Sequence, residues 1–182
     1  CKTHSNTIRI DGLLDTPENI SVWEQLAPRA LELATAVHTA RPNDVHAAAV
    51  YADAYMYEGA TKGIITQALR GAASVFRANA ELLVKLDPQY DGGLGYAMLG
   101  CFYAVAPWPW GSYDEAVRHL DMALAITPSQ RNTYYVAVVA YMRGEYAKAV
   151  EFFKRSLSAH PGSASEQDFS DFMRRESARA LR

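Results

Sequence analysis

Two cysteines in 182 residues are too few for a disulfide framework, and Cys1 and Cys101 stand 100 positions apart, so no metal-finger spacing exists either. No apolar run approaches the roughly 18 residues that a membrane-spanning helix needs. Charge is equally undramatic. A formal balance of -2, with Arg174-Arg175 as the one notable basic doublet, supplies no stripe for a phosphate backbone, which argues against nucleic acid as a partner. Runs of alternating apolar and polar residues are missing, so no strand is expected. What remains is a chain with 49% hydrophobic residues, rich in alanine and carrying 11 tyrosines. One all-α domain over 16–182, behind a tether over 1–15, is the expectation.

The strongest positive signal is internal. Sliding the sequence by about 33 residues lays Gly111 on Gly144, Tyr113 on Tyr146, Ala116 on Ala149, Leu120 on Phe153, Leu124 on Leu157 and Pro128 on Pro161. That period is the one of the tetratricopeptide helical hairpin, whose apolar face is buried only by stacking on a neighbour. The clear repeats cover about 94–128 and 130–161. The expected architecture is therefore a helical-hairpin solenoid with a concave wall.

Eight helices follow from periodicity and punctuation. The first is expected to open at Ser21, whose spacing to Glu24 suits a capping box. Val45–Glu58 is the second, and a continuous helix over Ile64–Leu86 the third. Leu94–Ala106, Ser112–Ile126, Arg131–Arg143 and Glu145–Ser158 make the two repeats, separated in the first by the inserted Pro107-Trp108-Pro109-Trp110. A last helix, Glu166–Leu181, starts after Ser165 and reads as the solenoid's C-terminal capping helix.

Within the repeat register, positions 2, 5, 9 and 12 of each first helix face the concave side. These are Arg131, Tyr134, Val138 and Tyr141 in one repeat, Leu94, Ala97, Cys101 and Ala104 in the other, and more loosely His46, Ala49, Asp53 and Met56. The wall is apolar with polar ends and is expected to suit an elongated apolar small molecule with a polar head. Each residue has a plainer reading: tyrosines that fill space between helices, and an Asp53 bonded to a neighbouring helix. Trp108 and Trp110, stiffened by prolines, are expected to contact a protein partner or to fold back over their own hairpin.

Catalytic patterns do not assemble. Asp91-Gly92-Gly93-Leu94-Gly95 follows no strand and lacks the lysine and hydroxyl of a phosphate loop, so it reads as a helix entry. Glu115 and His119 share a helix face but have no third ligand at usable spacing, and are expected to be a solvated pair. No enzyme activity, metal or cofactor is expected.

Asp91-Gly92-Gly93, Leu99-Gly100, Tyr103, Ala106-Pro107, Gly111, Ala116, Leu120, Ala123 and Pro128, continued by Asn132 and Ala137, resemble the TatT-like T components associated with tripartite ATP-independent periplasmic (TRAP) transporters. The likeness covers about Asp91 to Ala159. It implies a periplasmic, lipid-anchored protein that binds the transporter's solute-binding subunit, forms homo-oligomers and offers an apolar cleft. Cys1, followed by the polar stretch to Asp11, suits acylation on the membrane side, the rival reading being a chain boundary without chemical meaning. A different reading of the same repeats is a scaffold lipoprotein that grips a peptide for envelope or pilus assembly.

Overall fold

The computed structural model describes residues 17–62, 71–106 and 109–182. Among these the chain is all-helical and has no strand, with nine helices packed in neighbouring pairs. The chain divides into two compact units, one running to Tyr90 and the other from Asp91 to Arg182.

In the amino-terminal unit, α1 (Pro17–Ala40) begins four residues before the expected cap. Proline is well suited to a first helical position because its missing N–H has no intrahelical partner there, and Ser21 consequently lies inside the helix. Pro28 also sits inside α1 without ending it, its ring on the exposed side. The Arg41–Asp44 turn reverses the chain, and Asp44 accepts a hydrogen bond from Ala47 N at 3.1 Å to start α2 (Val45–Ala60). Trp23 packs on Tyr57 at 5.3 Å and the His38 ring stacks on Tyr51 at 5.2 Å, so aromatic rings fill the space between α1 and α2. The third helix, α3 (Ala72–Leu86), is shorter than expected. Gly71 precedes it at φ 69, a left-handed conformation that interrupts the helical path, and the expected segment Ile64–Arg70 lies outside the described residues. Asp87, extended before Pro88, ends it.

The carboxy-terminal unit holds α4 (Leu94–Val105) paired with α5 (Tyr113–Ile126), and α6 (Gln130–Met142) paired with α7 (Tyr146–Ser158). The second helices of the two pairs start 33 residues apart. Close approach of α4 to α5 depends on Gly100, where a Cβ would lie 2.5 Å from Leu120 Cγ. Ser112 and Ser129 cap α5 and α6 through Glu115 N and Asn132 N. The expected last helix is two helices. Ser163, not Ser165, caps the short α8 (Ala164–Gln167), and after Phe169 the chain restarts as α9 (Ser170–Ala180), which packs on α7 and α6.

That packing decides the surroundings of α6. Tyr134, Val138 and Ala137 have no accessible surface, and Gln130 through Thr133 are buried as well. Tyr134 meets Phe153 and Phe172 edge to face, with ring centres 6.1 and 6.4 Å apart. A helix covered this completely is a core element, with neighbours on every side.

Candidate functional site

The turn ends of the two hairpins in the carboxy-terminal unit are built on glycines with different tasks. Gly144 takes φ 79 with open space around it, which lets Glu145 N bond Ala140 O at 2.9 Å and release the chain into α7. Gly111 is required for closeness instead: a Cβ there would collide with the Ala106 carbonyl oxygen, where Ser112 N turns back to Tyr103 O. Tyr113 and Tyr146 then open α5 and α7 at equivalent places and stand 41% and 63% exposed. Trp110 and Tyr141 are similarly uncovered, at 43% and 47%, and Met142 beside them is exposed. Tyr141 and Tyr146 support one another edge to face at 5.7 Å.

An exposed ion pair spans these turns. Arg143 Nη1 reaches Asp114 Oδ1 at 3.0 Å across the hairpins, while its Nε binds Glu145 at 2.7 Å. The first turn and the start of α5 expose Trp110 and Tyr113, the second turn is flanked by exposed Tyr141, Met142 and Tyr146, and Arg143 in it is paired with two carboxylates. Tyr, Trp and Met with little net charge are the residue types enriched at protein interfaces, because they bury a large apolar area with few rotatable bonds and keep a polar tip. Trp110 is exposed at the first of these turns. Trp108 lies outside the described residues, as does Cys1.

The residues expected to line a ligand wall differ widely in exposure. Tyr134 and Val138 are sealed in the core, Ala97 is 1% exposed, and Leu94 and Cys101 are half-buried in α4. Asp53 is exposed and Met56 half-buried in α2, within the amino-terminal unit. Only Tyr141 of the α6 set reaches solvent freely. A cavity between α5, α6 and α7, lined by Val117, Leu120, Val136, Val139, Ala140 and Lys148, measures about 10 Å³. That is room for one water at most, whereas ligand pockets run to roughly 300 Å³ and above.

Arg131 is engaged within the fold. Its Nη1 pairs with Asp91 Oδ2 at 3.1 Å, its Nη2 donates to Asp91 O, and both side chains are about nine-tenths buried. Arg131 N donates to Glu166 Oε1, and Ser165 Oγ donates to Asp91 Oδ2 at 2.8 Å. Asn132 completes the lock, its Nδ2 lying 2.9 Å from Gly92 O, 3.0 Å from Ala123 O and 2.9 Å from Thr127 O. Asp91 itself has φ 48, and Gly92 and Gly93 are also left-handed. Asp91-Gly92-Gly93 is thus a tight entry to α4, held by α6 and α8. Glu166, misassigned in the sequence to a simple helix start, is 2% exposed and belongs to this network.

Glu115 and His119 are not a solvated pair. His119 is 7% exposed, stacked on Tyr103 at 5.2 Å, and its Nδ1 lies 2.8 Å from Glu115 O. The Glu115 carboxylate is held by Arg118, at 2.6 Å from Nη2, which keeps its carboxyl below the usual range and raises the guanidinium above its own. Among the described residues no three His, Cys, Asp or Glu side chains converge as metal ligands, and no helix is long and apolar enough to cross a membrane. Comparison with protein-family models, curated proteins and solved structures gave no match to the chain.

Proposed function

We propose that this chain is a non-catalytic docking protein built of tetratricopeptide-type hairpins, with α9 as terminal cap, and that it binds a protein partner through the aromatic edge at its hairpin turns. The observation that carries the reading is the exposure of Trp110, Tyr113, Tyr141 and Tyr146 on turns tied together by Arg143 and Asp114. Aromatic side chains have few rotatable bonds to immobilise on binding, which favours a docking role.

The resemblance to TatT-like proteins supports, as the proposed partner, the periplasmic solute-binding subunit of a TRAP transporter. In this reading a lipid anchor, as the resemblance implies, tethers the protein to a bacterial membrane. The exposed aromatic side chains at the hairpin turns support presenting a partner. The test is co-purification from a periplasmic extract with the wild-type protein and with a Trp110→Ala/Tyr146→Ala variant as baits. Recovery of a solute-binding subunit by the wild type, and its loss with the variant, is expected. Recovery of envelope- or pilus-assembly proteins alone would replace this reading with the peptide-gripping scaffold.

A further inference from the structure

The seat beneath the carboxy-terminal segment is polar for a buried helix contact. The segment is α8 and α9, opened by Ser163, and α9 rests on α6 and α7. Phe172 and Met173 are its two large buried apolar side chains, with Ala180 and Leu181 partly covered. Around them Gln130, Ser156, Glu166, Ser170 and Ser177 are buried too. Glu and Gln are residue types seldom enclosed, and here both are.

These polar groups are poorly matched. Ser170 Oγ donates to Gln130 Oε1 at 2.7 Å, but Ser156 Oγ stands 3.3 Å from Gln130 O and 3.4 Å from Ser177 Oγ, both long for hydroxyl bonds. Among the described residues three buried side-chain nitrogen or oxygen atoms find no partner in the protein, and two of them belong here: Gln130 Nε2 and Glu166 Oε2. A buried amide or carboxylate oxygen left unpaired opposes closure, and it regains water as soon as the segment lifts. The 11-residue α9 also gains little from its own hydrogen bonds, because helices shorter than about 12 residues are marginal alone.

Besides Phe172 and Met173, two ties to the entry of α4 hold the segment down. Arg131 N donates to Glu166 Oε1, and Ser165 Oγ donates to Asp91 Oδ2 at 2.8 Å, so α8 touches both members of the buried Arg131–Asp91 pair. Asp91 lies 74 residues before Ser165 and carries the left-handed backbone that starts the turn into α4. We propose that residues 163–182 form a latch that opens as one unit while α5, α6 and α7 stay folded, loosening the start of α4 as it goes. The latch does not depend on docking at the hairpin turns.

Amide hydrogen exchange of the full chain, followed by mass spectrometry in water and in dilute urea, tests this. Amides of α8 and α9 are expected to exchange together, about tenfold or more faster than those of α5–α7 after correction for intrinsic rates, and with little dependence on urea, because a partial opening exposes little surface. Phe172→Ala should speed both helices about tenfold further and the start of α4 about threefold, with α5 unchanged. Gln130→Met/Ser170→Ala removes the amide together with its hydroxyl partner and should slow exchange of α8 and α9 about threefold. Fraying from Arg182 would give a gradient that fades before α8 and spares α4. That pattern overturns the latch, as does exchange matching α5–α7 in rate and urea dependence, or equal acceleration of α5 by Phe172→Ala. Exchange as fast as wild type, or faster, in the Gln130→Met/Ser170→Ala chain overturns the role given to the buried polar atoms.

Discussion

Replacing Asn132 by alanine removes the amide that holds the entry of α4 and the turn before α6 to one point. The amide orientation is fixed by its surroundings, because exchanging nitrogen and oxygen would press Oδ1 against three carbonyl oxygens at 2.9 to 3.0 Å. In the alanine variant, Ala123 O keeps its bond from Thr127 N, but Gly92 O and Thr127 O lose the amide. A buried acceptor stripped of its donor costs roughly 1–3 kcal/mol, so two cost about 3 kcal/mol after some relaxation, a large share of the 5–15 kcal/mol that stabilises a domain. With a urea dependence near 2 kcal/mol per molar, the midpoint should fall by about 1.5 M. Asn132→Asp, of equal size but carrying oxygen toward the carbonyls, should be at least as damaging. A shift under about 0.2 M for the alanine variant would show that these bonds do not hold the unit together.

The two turn glycines should separate by mechanism. Gly144→Ala meets no atoms and pays only for its left-handed backbone, about 1 kcal/mol, whereas Gly111→Ala drives a methyl into the Ala106 carbonyl and should cost more; urea melts that rank them the other way would contradict this. Asp44 has its carboxyl held below its ordinary value first of all by the Ala47 N–H. A depressed acid stabilises the fold above its unfolded value and loses that contribution as pH falls through the folded one, so the amino-terminal unit should weaken below about pH 4. Asp44→Asn can cap without titrating and should flatten that dependence in amide-exchange measurements across α2; an unaltered acid limb would assign it to other groups. Tyr134→Ala empties a site enclosed by Phe153 and Phe172 and should cost about 3–5 kcal/mol in a denaturant melt, and a change under about 1 kcal/mol would mean that the core around α6 is looser than it looks.

Helix identity was legible because periodicity and punctuation act locally. Asp44, Ser112 and Ser129 cap the helices they precede, and Gly144 and Pro88 stand at breaks. Errors arose where a local signal had a stronger competitor. Ser21 with Glu24 had cap spacing, yet Pro17 could begin α1 earlier, and it is Ser163, two residues before Ser165, that accepts from Glu166 N to open α8. The wall residues were less legible. A repeat register states which side of a hairpin a residue faces, but not whether a later helix covers that side, and α9 covers α6. Arg131 looked available because its partner, Asp91, lies 40 residues away and comes near only once the Gly92-Gly93 turn has formed. The aromatic edge did leave a trace: the alignment of Tyr113 with Tyr146 marked equivalent places, though their exposure needed coordinates.

Docking of a protein partner on the turns bearing Trp110 and Tyr146 is open to direct measurement. Isothermal titration of the purified TRAP solute-binding subunit into the full chain tests it most directly. Saturable one-to-one binding is expected, which Trp110→Ala/Tyr146→Ala weakens at least tenfold, a loss of about 1.4 kcal/mol or more, while the melting temperature stays within a few degrees. Equal affinity for the wild type and the variant, or heat no different from dilution with both, would contradict it.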